Sequence, residues 1–251
     1  MLRTIIRKIE SFRHGIYCRK SKEVLERVGI TKNFANRDSS ALPPKYDDLH
    51  TLYALVKETR PKLILEYGSG VSTITMAHAL MENARQGWEG KILSIESDSK
   101  WANHTMAGVP SALKPFIDMQ VHTPELRLFA AVAFGQKEFK RGVWFRDQKR
   151  PATIPMMCIV YPALLDIAPD MVYLDGPDPR HVRGYSDCRT GETNRAIVAD
   201  MLFQEQKLRP GFVLAVDGRN TNCAFLHNNL TARYSAEKRE AQKFTIFKKL
   251  S

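Results

Sequence analysis

Cysteine is scarce in this chain: Cys18, Cys158, Cys188 and Cys223 are the four in 251 residues, and no two form a C-x-x-C pair. Their wide spacing argues against a disulfide framework or a cysteine-spaced zinc module. It favours free, mostly buried thiols in a reducing compartment, so a cytoplasmic location is expected. Long apolar runs are missing too. No stretch reaches 18 residues, which excludes a membrane-spanning helix. The N-terminal segment has no apolar stretch ending in a small-residue cleavage site, so no secretory signal is read there. Acid is in deficit, with 27 Asp and Glu against 38 Lys and Arg, a formal charge of +11. There is no internal repeat and no low-complexity tract.

The excess of base is uneven. Residues 1–22 carry seven Lys/Arg and one acid, residues 127–150 seven and two, and residues 233–249 six and two, around a mildly acidic body. Such patches suit polyanions: nucleic acid, anionic lipid or an acidic glycan. As plain solvated faces they would serve solubility alone. Leu2, Ile5, Ile6, Ile9, Phe12 and Ile16 fall at helical spacing with basic residues between them, the pattern of a basic amphipathic helix. That helix can lie on an anionic membrane surface through residues 1–22, leaving the protein peripheral to a membrane. Docking on the domain behind it, or on a partner, is the favoured reading. A second short helix is expected over 21–28. Residues 33–44 are polar and end in Pro43-Pro44, a linker. The chain therefore divides into an extension, 1–42, and a main domain, 43–251.

The main domain alternates apolar runs with helical patterns. Strands are expected at 62–67, 91–96, 117–122, 171–175 and 212–217, with helices at 47–59, 73–83, 99–106, 194–206 and 223–230. Strands at 234–239 and 244–248 close the chain, joined by a short polar turn. Repeated βαβ units imply a doubly wound α/β fold with a seven-stranded sheet, Rossmann-like, whose last strand is antiparallel. Residues 123–170 are longer than an ordinary connection and hold Phe129, Phe134, Phe139, Trp144, Phe145 and Tyr161. They are read as an irregular insertion that covers a ligand, or else as a helical insertion packed on the surface.

The centre of the functional case is Leu63-Ile64-Leu65-Glu66-Tyr67-Gly68-Ser69-Gly70-Val71-Ser72-Thr73. A strand meets a glycine turn, and the turn meets a helix. Glycine lets the backbone bend tightly and lets a ligand approach without meeting a Cβ. The helix that follows points free N–H groups at whatever sits there. In an open α/β sheet this crevice is the expected ligand site. Glu96 ends the next expected strand, where a carboxylate can accept both hydroxyls of a ribose. The plain alternative is a strand-end acid that caps the helix after it.

Glu-x-Gly-Ser-Gly-x-Ser-Thr, followed by a strand ending in Ser-x-Glu, resembles the class I S-adenosylmethionine-dependent methyltransferases, in their small-molecule and sugar O-methyltransferase-like branch. The resemblance covers about residues 46–251, and the closing pair of strands resembles this family's last two. It implies S-adenosyl-L-methionine as cofactor, held by Glu66, Tyr67, Gly68, Ser69, Gly70, Ser72, Thr73, Glu96 and Ser97. It implies an O-directed methyltransferase acting on a small-molecule or saccharide acceptor. By the same resemblance Asp175, in Asp175-Gly176, faces the transferred methyl or the acceptor. His181, which follows that loop, is the candidate general base, or else simply an exposed loop histidine. His122 lines the adenine pocket. Arg180, Arg183, Arg189 and Arg219 suit an acidic acceptor, or pair with Asp178, Asp187 and Glu192. No metal is assigned. Some relatives bind one through residues like Asp175, Asp217 and Asn220, but the adjacent Asp-Asn pair of the catechol type is interrupted here by Gly218 and Arg219.

Three other functions compete. A nucleic-acid methyltransferase would explain the charge, but no Asn/Asp-Pro-Pro-Tyr/Phe loop follows the fourth strand. A nicotinamide oxidoreductase would want a third glycine near position 73 and no acid at 66. A non-catalytic, membrane-associated scaffold on the same fold is disfavoured by the intact cofactor motif.

Overall fold

The computed structural model describes residues 2–34, 43–132, 153–177, 182, 197–239 and 243–251. Candidate base His181, the arginines at 180, 183 and 189, Cys188 and the acids at 178, 187 and 192 lie outside them. So do Phe134, Phe139, Trp144 and Phe145.

Within the described residues the chain runs α1 (Leu2–Arg27), α2 (Tyr46–Thr59), β1 (Leu63–Tyr67), α3 (Val71–Ala84), β2 (Lys91–Glu96), α4 (Ser99–Gly108) and β3 (Ile117–Val121). It continues through β4 (Glu125–Val132), β5 (Thr153–Val160), β6 (Met171–Leu174), α5 (Asp200–Gln204), β7 (Val213–Asp217), α6 (Asn220–Asn229), β8 (Tyr234–Arg239) and β9 (Phe244–Lys249).

Seven strands form one sheet in the order β3-β2-β1-β6-β7-β9-β8. The first five are parallel. β9 inserts between β7 and β8, antiparallel to both. The strand order reverses at β1, so a crevice opens where the carboxyl ends of β1 and β6 diverge to their following connections. The central strands β6 (MVYL) and β7 (VLAVD) are buried at every position, as expected for strands covered on both faces. β8 (YSAEKR) has no buried position and carries Glu237, Lys238 and Arg239, charges that discourage pairing at this open edge.

Side chains on alternate positions build two cores. Ile64, Ile92, Met171, Tyr173, Val213 and Ala215 pack with Leu52 and Val56 of α2 and Ile74, Ala77 and Leu80 of α3. Leu65, Tyr67, Ile95, Val172, Leu174 and Val216 pack on the other face with Met201, Phe225 and Leu226. α2 carries Asp47 and Asp48 in its first turn, where the helix dipole favours acid. It stops at Arg60, which takes a left-handed conformation ahead of Pro61.

Three expectations need correction. The N-terminal helix does not break into two pieces: α1 runs unbroken from Leu2 to Arg27, and Leu25 at its end, with Ile30 just beyond it, packs against Leu49 of α2. The described part of the 123–170 insertion is a two-stranded antiparallel hairpin, β4 with β5, paired from Glu125–Val160 to Val132–Thr153. Its inner residues Ala131, Cys158, Ile159 and Val160 join the second core. The helix expected from 194 is short in its described part, spanning Asp200–Gln204. It is preceded by a segment that pairs Ile159 with Val198.

Candidate active site

The turn after β1 is fixed by its own glycines. Gly68 has φ +86°, and its N–H bonds to the Ile95 carbonyl at 2.8 Å. The backbone after β6 crosses directly over it: Asp175 N and Gly176 N both bond to the Tyr67 carbonyl. A Cβ on Gly176 would stand 2.7 Å from Gly68 N and 2.8 Å from Gly68 Cα. Only glycine fits that crossing, because the obstruction is main chain. Around Gly70, by contrast, a Cβ would meet no protein atom within 4 Å, so this side of the turn is open to a ligand.

Glu66 is fully buried. It accepts hydrogen bonds from Ser72 (2.6 Å), Thr73 (2.6 Å) and Ser94 (2.7 Å). Thr73 in turn accepts from Gly70 N–H at 3.0 Å. These contacts clamp the turn onto the first turn of α3. Both carboxyl oxygens of Glu66 are spoken for, and the Ser72 and Thr73 hydroxyls point at them. The tyrosine at 67 is also buried, its ring against Tyr161 at 5.5 Å between centroids. Of the residues expected to hold a cofactor, Glu66, Ser72, Thr73 and the Tyr67 side chain thus build the turn from within.

Burial pushes the Glu66 carboxyl up to about 7, against the pull of its three hydroxyl donors. A carboxyl whose folded value exceeds its unfolded one grips its proton more tightly when folded. Its contribution to stability is full below the unfolded value and is lost as pH rises through the folded one. Asp200, pushed up by burial to about 7, acts in the same sense. Thermal unfolding of Glu66→Gln should therefore show a smaller loss of stability between about pH 5 and 8 than the parent shows. An unchanged slope would remove Glu66 from this account.

Glu96 differs from Glu66. It ends β2, buried but with 8% of its surface still exposed, and its oxygens accept from Ser69 N–H (3.1 Å), Ser69 Oγ (3.1 Å), Ser97 N–H (2.8 Å) and, more loosely, Ser97 Oγ (3.5 Å). Two backbone N–H groups aim the carboxylate, and two serine hydroxyls occupy places that a vicinal diol can take. Ser69 Oγ also meets Thr105 of α4 at 3.1 Å. His122, just past β3, bonds through its backbone N–H to the Glu96 carbonyl, and its ring meets Gln120 at 2.8 Å.

Asp175 follows β6. It is open to solvent, yet protein surrounds it on most sides, as a side chain in a concavity must be. Desolvation by those surroundings, with the nearby Asp217, pushes its carboxyl up to about 6 against Arg219 and Lys45. Arg219 donates to the backbone carbonyls of Asp175 and Pro177. Its guanidinium thus holds the post-β6 loop in place.

Sequence reasoning missed Lys45 and Asp48. Lys45 Nζ bonds both oxygens of Asp217, at 3.0 and 2.7 Å, and stands 3.6 Å from Asp48. Desolvation is the largest influence and opposes the Lys45 charge, but the bond to Asp217 and the charges of Asp217, Asp48 and Asp175 together outweigh it, and the ammonium is stabilised. Burial and the nearby Asp217 push Asp48 up to about 8. A lysine therefore neutralises the Asp217 carboxylate that the metal-binding alternative would need. The only signal was Lys45 beside Asp47-Asp48, 172 positions from Asp217.

This sheet order, with β9 antiparallel between β7 and β8 and a glycine turn after β1, makes a Rossmann-like α/β fold with a seven-stranded sheet. Solved structures of that kind are similar over most of the chain. One is the O-methyltransferase TomG from Streptomyces achromogenes, involved in tomaymycin synthesis and in complex with SAM: 15% identity, 88% of this chain and 89% of that one, TM-score 0.45. Others are a methyltransferase from Geobacter sulfurreducens (12% identity, 92% and 90% covered, TM-score 0.44) and the SAH-bound Podospora anserina methyltransferase PaMTH1 (10% identity, 88% and 88% covered, TM-score 0.46). No protein-family model matches the sequence, and no curated protein does. The strand order and the turn, rather than these distant similarities, carry the assignment of fold.

Proposed function

We propose that the protein is an S-adenosylmethionine-dependent methyltransferase directed at a hydroxyl of a small-molecule or saccharide acceptor, with residues 43–251 as the catalytic domain and 1–42 as an extension. The observation that carries this is the Glu96 carboxylate, aimed by the backbone of Ser69 and Ser97 beside an open glycine turn. A nucleoside diol fits there because it would replace the two serine hydroxyls without disturbing the backbone bonds. The open space around Gly70 leaves the turn accessible to the amino-acid end of the cofactor. When bound, S-adenosylmethionine supplies an electrophilic sulfonium methyl for in-line displacement. The chain's part is alignment, which in such reactions lowers the barrier by roughly 7 kcal/mol or more.

An acceptor hydroxyl must lose its proton as the new C–O bond forms. Asp175 is the group suited to receive it: accessible, at the same strand-end crevice, and with a carboxyl raised toward neutrality. A base matched to the working pH accelerates by about 100-fold or more. Asp175→Asn should therefore lower kcat by about 100-fold, leave cofactor affinity nearly unchanged, and remove the rise in rate through about pH 6 that ionisation of Asp175 causes. Full activity in that variant would assign the proton to another group, with His181 next to be tested. A nucleic-acid acceptor is the second reading, motivated by the basic stretches at 127–150 and 233–249. It would reveal itself as binding that falls steeply with salt.

A further inference from the structure

Away from this crevice, α1 meets the start of α2 through polar side chains. His14 and Cys18 lie four residues apart and so share one face of α1. The Cys18 sulfur is 3.5 Å from His14 Nε2, and the same nitrogen is 3.6 Å from Asp47 Oδ2. The donor atoms of all three lie within 4.8 Å of one another, and among the described residues no other group of three such side chains converges this way. Around a tetrahedral zinc ion, with bonds of about 2.0–2.3 Å, neighbouring donors stand roughly 3.3–3.8 Å apart. The two shortest separations already match. A rotamer adjustment that brings the cysteine and aspartate closer completes three corners, with water for the fourth.

We propose that His14, Cys18 and Asp47 bind one zinc ion, which fastens the basic helix α1 to the catalytic domain. The donor set of one thiolate, one imidazole and one carboxylate suits zinc over calcium or magnesium, which prefer oxygen alone. Asp47 is buried and Cys18 and His14 are half-buried, so the ion would have protein on one side and an approach from solvent on the other. Burial and the Asp47 carboxylate hold the Cys18 thiol above its ordinary value. A cation between them reverses that electrostatic sign, and binding releases a proton. The apolar contact of Leu25 and Ile30 with Leu49 holds only the far end of α1. A bond at residues 14 and 18 would fix the helix nearer its middle, and with it the direction in which the basic residues of 1–22 project. Cysteine spacing could not reveal the site, because the partners come from one helical turn and from a second helix.

The test uses full-length protein stripped with a chelator, then loaded with zinc alone or cobalt alone. One zinc per chain should survive gel filtration, and cobalt should give thiolate-to-metal charge-transfer absorption. Cys18→Ser should lose that absorption and bind zinc at least 100-fold more weakly. His14→Ala and Asp47→Asn should each weaken binding by 10-fold or more, all with unchanged circular dichroism. Zinc should also raise the melting temperature of the parent and not of Cys18→Ser. Failure to retain zinc, or uptake and absorption unchanged in Cys18→Ser, would overturn the site.

Discussion

Exchanging Glu96 for glutamine is expected to weaken S-adenosylmethionine binding by at least about 100-fold, on the basis of two charge-assisted hydrogen bonds worth roughly 1.5–3 kcal/mol each. The neutral amide keeps the size of the side chain, so the fold should survive. Backbone N–H groups of Ser69 and Ser97 would lose one charged acceptor between them, a local change at the end of β2. Glu66→Gln is the informative contrast. Its carboxyl is fully buried beneath the turn and saturated by three hydroxyls. It should alter stability and leave affinity nearly intact. Titration calorimetry on the two variants separates the two roles; equal loss of affinity in both would mean that Glu66, too, meets the cofactor.

Gly176→Ala should be the most damaging small substitution in the crevice. Its new methyl would sit 2.7–2.9 Å from three backbone atoms of Tyr67 and Gly68. Neither strand end can yield without breaking the bonds from Asp175 N and Gly176 N to the Tyr67 carbonyl. A backbone clash of this sort costs about 3 kcal/mol or more, or roughly 6–12 °C in Tm for a chain of this size. Because the shift falls on the glycine turn itself, cofactor binding should fail even at temperatures where the variant remains folded. A variant with the parent's Tm and affinity would show that the two loops do not touch in solution.

Most of the sheet was legible because its strands are short apolar runs with glycine or charge at their ends, and because the βαβ rhythm allows few topologies. The closing antiparallel pair was legible from its short turn. The hairpin β4–β5 was not. Pro155 lies inside its second strand, which reads against a strand, and residues 133–152 separate the partners by far more than a hairpin turn. The continuity of α1 was hidden for a different reason. Polar Ser21 interrupts the apolar pattern, and its hydroxyl meets His50 at 3.2 Å on a helix that sequence cannot place beside it.

At the site, the glycine turn and both acids were visible as types and spacings, but their division of labour was not. Glu66 is next to last in β1 and Glu96 is last in β2, two neighbouring parallel strands. Which one is completely sealed and which one keeps a slight exposure depends on where Ser72, Thr73 and Ser94 direct their hydroxyls. The Lys45–Asp217 pair was invisible because its members are 172 positions apart, and only the folded sheet joins them. Described residues contain no helix long and apolar enough to cross a membrane.

The most direct test is calorimetric titration of the full-length protein with S-adenosylmethionine and, separately, with NADH. The account predicts saturable one-to-one binding of S-adenosylmethionine at micromolar concentration, about −8 kcal/mol, and no heat of binding with NADH. Binding of NADH in its place, or no binding of S-adenosylmethionine, would contradict it.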